Sequence, residues 1–257
     1  MSAKILLLDI ETAPLRGFFW GLWKQNIAYK QLENEWYMLT WAAKWLDSDE
    51  YLYDSVHLHG DHTDDRAILE SLHGVLDDAD IVVAHNGNRF DIPKINARLI
   101  QAGLEPPSPY KKIDTFQVAK RQFAFTSNRL DSITEFLGIG GKVSTGGFDL
   151  WVRCLEGDKE AFEKMVEYNI QDVHLLEEVY KRMLPWIPNH PNVANLADEG
   201  AACPKCGSKH LQRRGYSYTQ VGKYQRFQCM SCGGWSRTRT TERESEQNKS
   251  VLTNAVN

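Results

Sequence analysis

At 257 residues, with 42% hydrophobic and 25% charged side chains, the chain has the composition of an ordinary globular protein: one core domain with room for a small module. No apolar stretch approaches the ~20 residues of a membrane span and nothing at the N-terminus reads as a signal peptide, so a cytoplasmic protein without membrane contact is expected. The net charge of −4 conceals a split, −11 over residues 1–200 and +7 over residues 201–257, which points to an acidic domain followed by a basic one.

Taken in chain order, Ile5-Leu-Leu-Leu-Asp-Ile10 predicts a buried strand. Strand side chains alternate faces, so Asp9 and Glu11 emerge on the same side while Ile10 returns to the core. Two neighbouring carboxylates repel each other unless a cation lies between them, and hard ions such as Mg²⁺ or Mn²⁺ prefer oxygen ligands. The aromatic run Phe18-Phe-Trp-Gly-Leu-Trp23 follows. Most of it is expected to pack on the core, with one ring, taken as Trp20, reaching nucleic acid. Strands are predicted near 36–46, 51–58 and 80–85, and helices at 64–77, 91–102, 115–122, 130–137 and 158–183.

Between strand 80–85 and helix 91–102 lies His85-Asn-Gly-Asn-Arg-Phe-Asp91, turn chemistry ending in an acidic residue at a helix start. Asp91 there fits either a helix cap or a site at the mouth of an α/β sheet. Pro93 is tolerated in the first turn. In the last helix Phe162, Met165, Val166, Ile170, Val173, Leu176 and Val179 keep a period near 3.6, and Tyr168 and Asp172 share its flank. His85 and His174 read as core or surface histidines. Lys142-Val-Ser-Thr-Gly-Gly147 is a weak candidate for a phosphate-contacting loop, and an ordinary loop fits it better.

These patches resemble the three exonuclease motifs of the DEDD superfamily, 3′→5′ exonucleases on a ribonuclease H-like fold. Asp9-Ile-Glu-Thr12 matches the first motif, Asn86 to Asp91 the second, with Asn86 also taken as a nucleic-acid contact, and Tyr168-Asn-Ile-Gln-Asp172 the third, in its tyrosine branch. The resemblance covers roughly residues 4–184. It implies an α/β fold with a mixed five-stranded sheet flanked by helices. It also implies a two-metal mechanism, in which Asp9 bridges two Mg²⁺ or Mn²⁺ ions, Glu11 and Asp172 complete the first, and Asp91 holds the second largely through water. Tyr168, with an ordinary pKa near ~10, then orients the attacking water rather than taking its proton. Asp114-Thr115 and Leu130 to Ile139 also resemble connecting segments of such enzymes and are taken as scaffold.

In the basic part, Cys203-Pro-Lys-Cys206-Gly and Cys229-Met-Ser-Cys232-Gly are two knuckles separated by 22 residues. This spacing predicts a four-cysteine site for one structural Zn²⁺ on a small zinc ribbon, with two disulfides or a redox pair as the competing readings. Cys154 has no partner pattern and reads as a small buried side chain. The hairpin strands between the knuckles mix Arg213, Arg214, Lys223 and Arg226 with aromatic residues, which suits phosphate attraction and base stacking. Some of Tyr216, Tyr218, Tyr224, Phe227 and Trp235 are expected to form the ribbon's own core.

The expected layout is an exonuclease domain over 1–184, a proline-rich linker over 185–200, the ribbon over 201–240 and a disordered tail over 241–257. The function expected is 3′→5′ hydrolysis of single-stranded DNA, with a polymerase or another replication or repair protein as partner. An exoribonuclease and a non-catalytic nucleic-acid-binding module on the same fold are the alternatives, and retention of all four carboxylates argues against the latter.

Overall fold

The computed structural model describes residues 3–140, 146–197 and 200–253, so most of the Lys142–Gly147 loop lies outside the described residues. The chain divides into two compact units, Lys4–Tyr180 and Lys181–Asn257 with the first three residues. Among the described residues no helix is long and apolar enough to cross a membrane.

The first unit is built on a mixed five-stranded sheet. Its strands are β1 (Ile5–Thr12), β4 (Met38–Trp45), β5 (Tyr51–Ser55), β6 (Ile81–Ala84) and β7 (Lys111–Asp114), in the spatial order β5-β4-β1-β6-β7. The short strands β2 (Arg16–Gly17) and β3 (Leu32–Asn34) pair separately. β1 runs antiparallel to β4 and parallel to β6, and β6 is parallel to β7. Central placement explains the apolar run of β1, where Leu6, Leu7 and Leu8 are fully buried because both faces are covered.

Helices α1 (Arg66–Asp77), α2 (Asp91–Gln101), α3 (Thr115–Gln122), α4 (Leu130–Leu137), α5 (Asp149–Leu155) and α6 (Lys159–Met183) complete the unit. Leu6, Leu8 and Ile10 share one core cluster with Leu69 and Leu72 of α1, Ile95 of α2, Leu150 and Cys154 of α5, and Phe162 and Met165 of α6. Asp9 and Glu11 therefore belong to the opposite face of β1. Burial pushes the Cys154 thiol up to about 12, so it behaves as a small apolar side chain. Inside the fold, Lys44 of β4 pairs with Glu177 of α6, and Arg98 of α2 with Asp65, 2.6 Å apart. In both pairs the buried charge thus has its counter-ion.

In the second unit β8 (Leu211–Tyr218), β9 (Lys223–Cys229) and β10 (Trp235–Arg237) form an antiparallel sheet in the order β10-β9-β8. The linker segment includes a short helix, α7 (Val193–Leu196), whose Val193 amide donates to the Pro204 carbonyl at 2.8 Å. Within the segment expected to be a disordered tail, Ser245–Lys249 forms a one-turn helix, α8. The expected aromatic core of the ribbon is found only in part. Tyr216, Tyr218 and Trp235 are exposed, Tyr224 and Phe227 half-buried, and in the two knuckles the buried side chains are Cys203, Lys205 and Cys229.

Candidate active site

The site forms where β1 and β6 part. Their pairing ends at Leu7 and Val83, while β1 continues against β4 through Glu11 opposite Thr40 and, after a register shift, to Thr12 opposite Met38. The Ile10 amide, free of β6, donates to Asp91 Oδ1 at 3.2 Å. Asp91, the first residue of α2, is thereby anchored to the peptide between Asp9 and Glu11, and it is 2% exposed. Asp172 of α6 completes the group: one oxygen each of Asp9, Glu11 and Asp172 lie within 4.8 Å of one another. Asp91 stands outside that tighter set.

The electrostatics match this crowding. Burial, then the charges of Asp91, Glu11 and Asp172, push the Asp9 carboxyl well above the usual range, against a hydrogen bond from Asn169. Burial pushes Asp91 up to about 7, opposed by backbone hydrogen bonds including that of Ile10 and assisted by the charge of Asp114. A set of oxygen donors that repel one another is chemically suited to a hard divalent cation, so the residues fit the metals expected here.

Tyr168 is 6% exposed, deeper than the solvent border expected of it. Burial first, then the charge of Asp172 and a hydrogen bond with it, raise the phenol above its ordinary value. Its ring meets Trp151 edge-on, centroids 6.4 Å apart. An open groove of about 770 Å³ runs past this ring, lined by Thr12 to Leu15, Trp36, Lys94, Arg129, Phe148 and Trp151. Lys94 Nζ stands 3.7 Å over the Trp36 ring.

The loop before Asp91 is held from beneath. Asp114 accepts from the amides of Asn86 (3.0 Å) and Asn88 (3.1 Å) and also caps α3. Asn86 adopts φ 65°, a left-handed conformation that asparagine tolerates, and a Cβ on Gly87 would stand 2.5 Å from that of Ala84. His85 bridges Thr115 Oγ1 and the Asn128 carbonyl, both at 2.9 Å, as an internal strut. His174 is exposed and contacts the Tyr51 hydroxyl. Trp20 is 97% exposed, and the rest of its aromatic run is exposed as well, so the expectation that most of these rings pack on the core is corrected. The run follows Pro14 into an arch that leaves the sheet, so it has no core to join.

Sequence reasoning missed Asn169, Trp36, Lys94 and Arg129. Asn169 is fully buried, its Nδ2 donates to Asp9 Oδ2 at 2.6 Å, and its Oδ1 has no partner among the described residues. Lys94 had a usable signal: it follows Asp91 by three residues on a helix, so the two share a face.

In the second unit the four cysteines are free thiols whose sulfurs lie within 4.8 Å of one another. Cys203 to Cys232 measures 3.7 Å and Cys206 to Cys229 3.6 Å. Those separations are far from a ~2.05 Å disulfide bond and close to the ~3.8 Å edge of a tetrahedron with ~2.3 Å zinc–sulfur bonds. The glycine after each knuckle, Gly207 at φ 72° and Gly233 at φ 77°, is left-handed. Each returns its amide to the carbonyl of the knuckle's first cysteine. The cations of the ribbon divide between two faces. Arg226 and Arg237, directly opposite in register, stack on Trp235 (4.7 Å) and Tyr224 (3.9 Å), whereas Lys223 stacks on Tyr216 at 3.9 Å.

Comparison with known proteins decides the family. The RNase H superfamily profile matches residues 6–184. The chain belongs to the RNase H superfamily. Over 73 residues it is 42% identical to the DNA polymerase III PolC-type of Ureaplasma parvum serovar 3, a match that takes in 27% of this chain and 5% of that relative. A family B DNA polymerase from the archaeon Pyrobaculum calidifontis superposes with a TM-score of 0.55 at 15% identity, over 85% of this chain and 31% of the polymerase. That likeness shows shared fold. The chain spans only a small part of either relative.

Proposed function

We propose that this RNase H superfamily protein is a metal-dependent 3′→5′ exonuclease of the DEDD type acting on single-stranded DNA, with its exonuclease domain over 1–184 and a zinc ribbon over 201–240. The observation that carries the reading is the meeting of Asp9, Glu11 and Asp172 within 4.8 Å, with Asp91 fastened to the peptide between the first two. These four residues would hold two Mg²⁺ or Mn²⁺ ions, and Cys203, Cys206, Cys229 and Cys232 one structural Zn²⁺. When bound, divalent ions at such a site supply a nucleophilic hydroxide at neutral pH and neutralise the leaving oxygen.

The chain's own residues then divide the remaining work. Asn169 fixes the orientation of Asp9. Tyr168 keeps its proton at any working pH, so it orients water and substrate by hydrogen bonding and does not act as the base. Lys94 and Arg129 bring positive charge to a groove otherwise beside carboxylates, where a phosphate must approach. Trp36 and Trp151 offer the same groove flat surfaces for a terminal base. On the ribbon, Arg226 and Arg237 with their stacked aromatic rings form the face best suited to nucleic acid.

The PolC-type relative favours DNA over RNA and a polymerase or repair assembly as partner. A cytoplasmic setting, where thiols stay reduced, suits the cysteine cluster. The reading is tested with 5′-labelled single-stranded DNA and RNA in Mg²⁺, Mn²⁺ or EDTA. A ladder shortening stepwise from the 3′ end, in either metal and not in EDTA, is expected on DNA. Release of the label as a mononucleotide would contradict the polarity.

A further inference from the structure

Resting on that reading, we infer that the arch between Gly17 and Gln31 is a stacking platform for a single nucleic-acid strand leading into the groove. Seven large apolar side chains within twelve residues are exposed there: Phe18, Phe19, Trp20, Leu22, Trp23, Ile27 and Tyr29. Scattered exposed apolar residues are ordinary, but a contiguous group of this size marks a binding surface.

The arch is held in place by its neck. Strands β2 and β3 pair below it, the Phe18 amide donates to the Gln31 carbonyl at 2.8 Å, and Gln31 Nε2 returns to the Phe18 carbonyl at 2.9 Å. Gln31 Oε1 accepts from the Ala28 amide at 2.9 Å. A Cβ on Gly17 would lie 2.6 Å from the Gln31 carbonyl oxygen, so the close crossing requires glycine. The rings are therefore presented by a fastened support.

Charge identifies the occupant. Residues 13–32 contain Arg16, Lys24 and Lys30 and no acidic residue, within a segment 1–200 whose net charge is −11. Arg16 is engaged by Glu33, while Lys24 and Lys30 are exposed. Flat rings interleaved with cations suit bases and phosphates together. Position agrees: Leu15 lines the groove and Phe18 follows three residues later, at most about 11 Å of extended chain. Because every base has a flat face, the platform reads length rather than sequence.

The test uses the full-length protein and its Trp20→Ser/Trp23→Ser variant, with both folds checked by circular dichroism. Binding of oligo-dT of 3 and 12 nucleotides is measured in buffer without Mg²⁺ or Mn²⁺ and without chelator, so that hydrolysis plays no part and the zinc of the ribbon is kept. Wild type is expected to bind the 12-mer much more tightly than the 3-mer. The variant is expected to lose roughly ten-fold or more on the 12-mer and most of the length dependence. Equal 12-mer affinity in the two proteins overturns the inference. Absence of nuclease activity in wild type would overturn the function proposed above and leave the arch to be judged by affinity alone.

Discussion

Asp91 shows what it costs to assemble this site. Its carboxyl is raised from 3.8 to about 7 and that of Asp9 is raised as well, so without metal the folded state binds protons more tightly than the unfolded chain. By linkage, their contribution favours folding at low pH and is lost as the pH rises from about 4 through about 7. Metal-free wild type should therefore lose Tm relative to Asp91→Asn on going from pH 5 to pH 8. Adding Mn²⁺ should restore the wild type at pH 8 and have little effect at pH 5. Parallel Tm curves for the two proteins would show that Asp91 is ionised without strain. Asp9, Glu11 and Asp172 were legible in the sequence because strand alternation and motif order fix them. Asn169 was not, since nothing in its spacing says that a buried amide points at Asp9 rather than packing beside it.

At the scale of elements, the strands and helices with a sustained period were legible to within a few residues, including α4 and the 25-residue α6. Two were missed. β7 is four residues, Lys111-Lys-Ile-Asp, at the sheet edge with its lysines exposed, and so carries no apolar alternation. α5 has only seven residues, too few to establish a helical period. The aromatic run was misjudged because composition alone does not say whether a segment turns back over the core or leaves the sheet. On the ribbon, register puts Arg226 opposite Arg237, and each stacks on an aromatic ring, a fixed pair of charges rather than a diffuse basic patch. Replacing both by glutamine should flatten the log–log salt dependence of single-strand binding by about 1.4, twice the ~0.7 expected per phosphate contact. An unchanged slope would mean that this face binds something other than nucleic acid.

Over the whole molecule, the chain joins an acidic RNase H superfamily unit to a basic unit whose cysteine cluster, under the proposed reading, would supply through zinc what its small core does not. The division follows the tasks proposed: carboxylates to hold metal in the first, cations and rings to hold a strand on the second. Everything assigned to chemistry lies within Lys4–Tyr180. The most direct measurement compares Mg²⁺-dependent hydrolysis of single-stranded DNA by wild type and Asp9→Ala, with thermal unfolding of both followed in the absence of divalent metal at the active site. Turnover should fall at least ~100-fold while Tm stays equal or rises, because removing one of four repelling carboxylates spares the fold and disables the site. Near-wild-type turnover by Asp9→Ala in Mg²⁺ would contradict the assignment of this site.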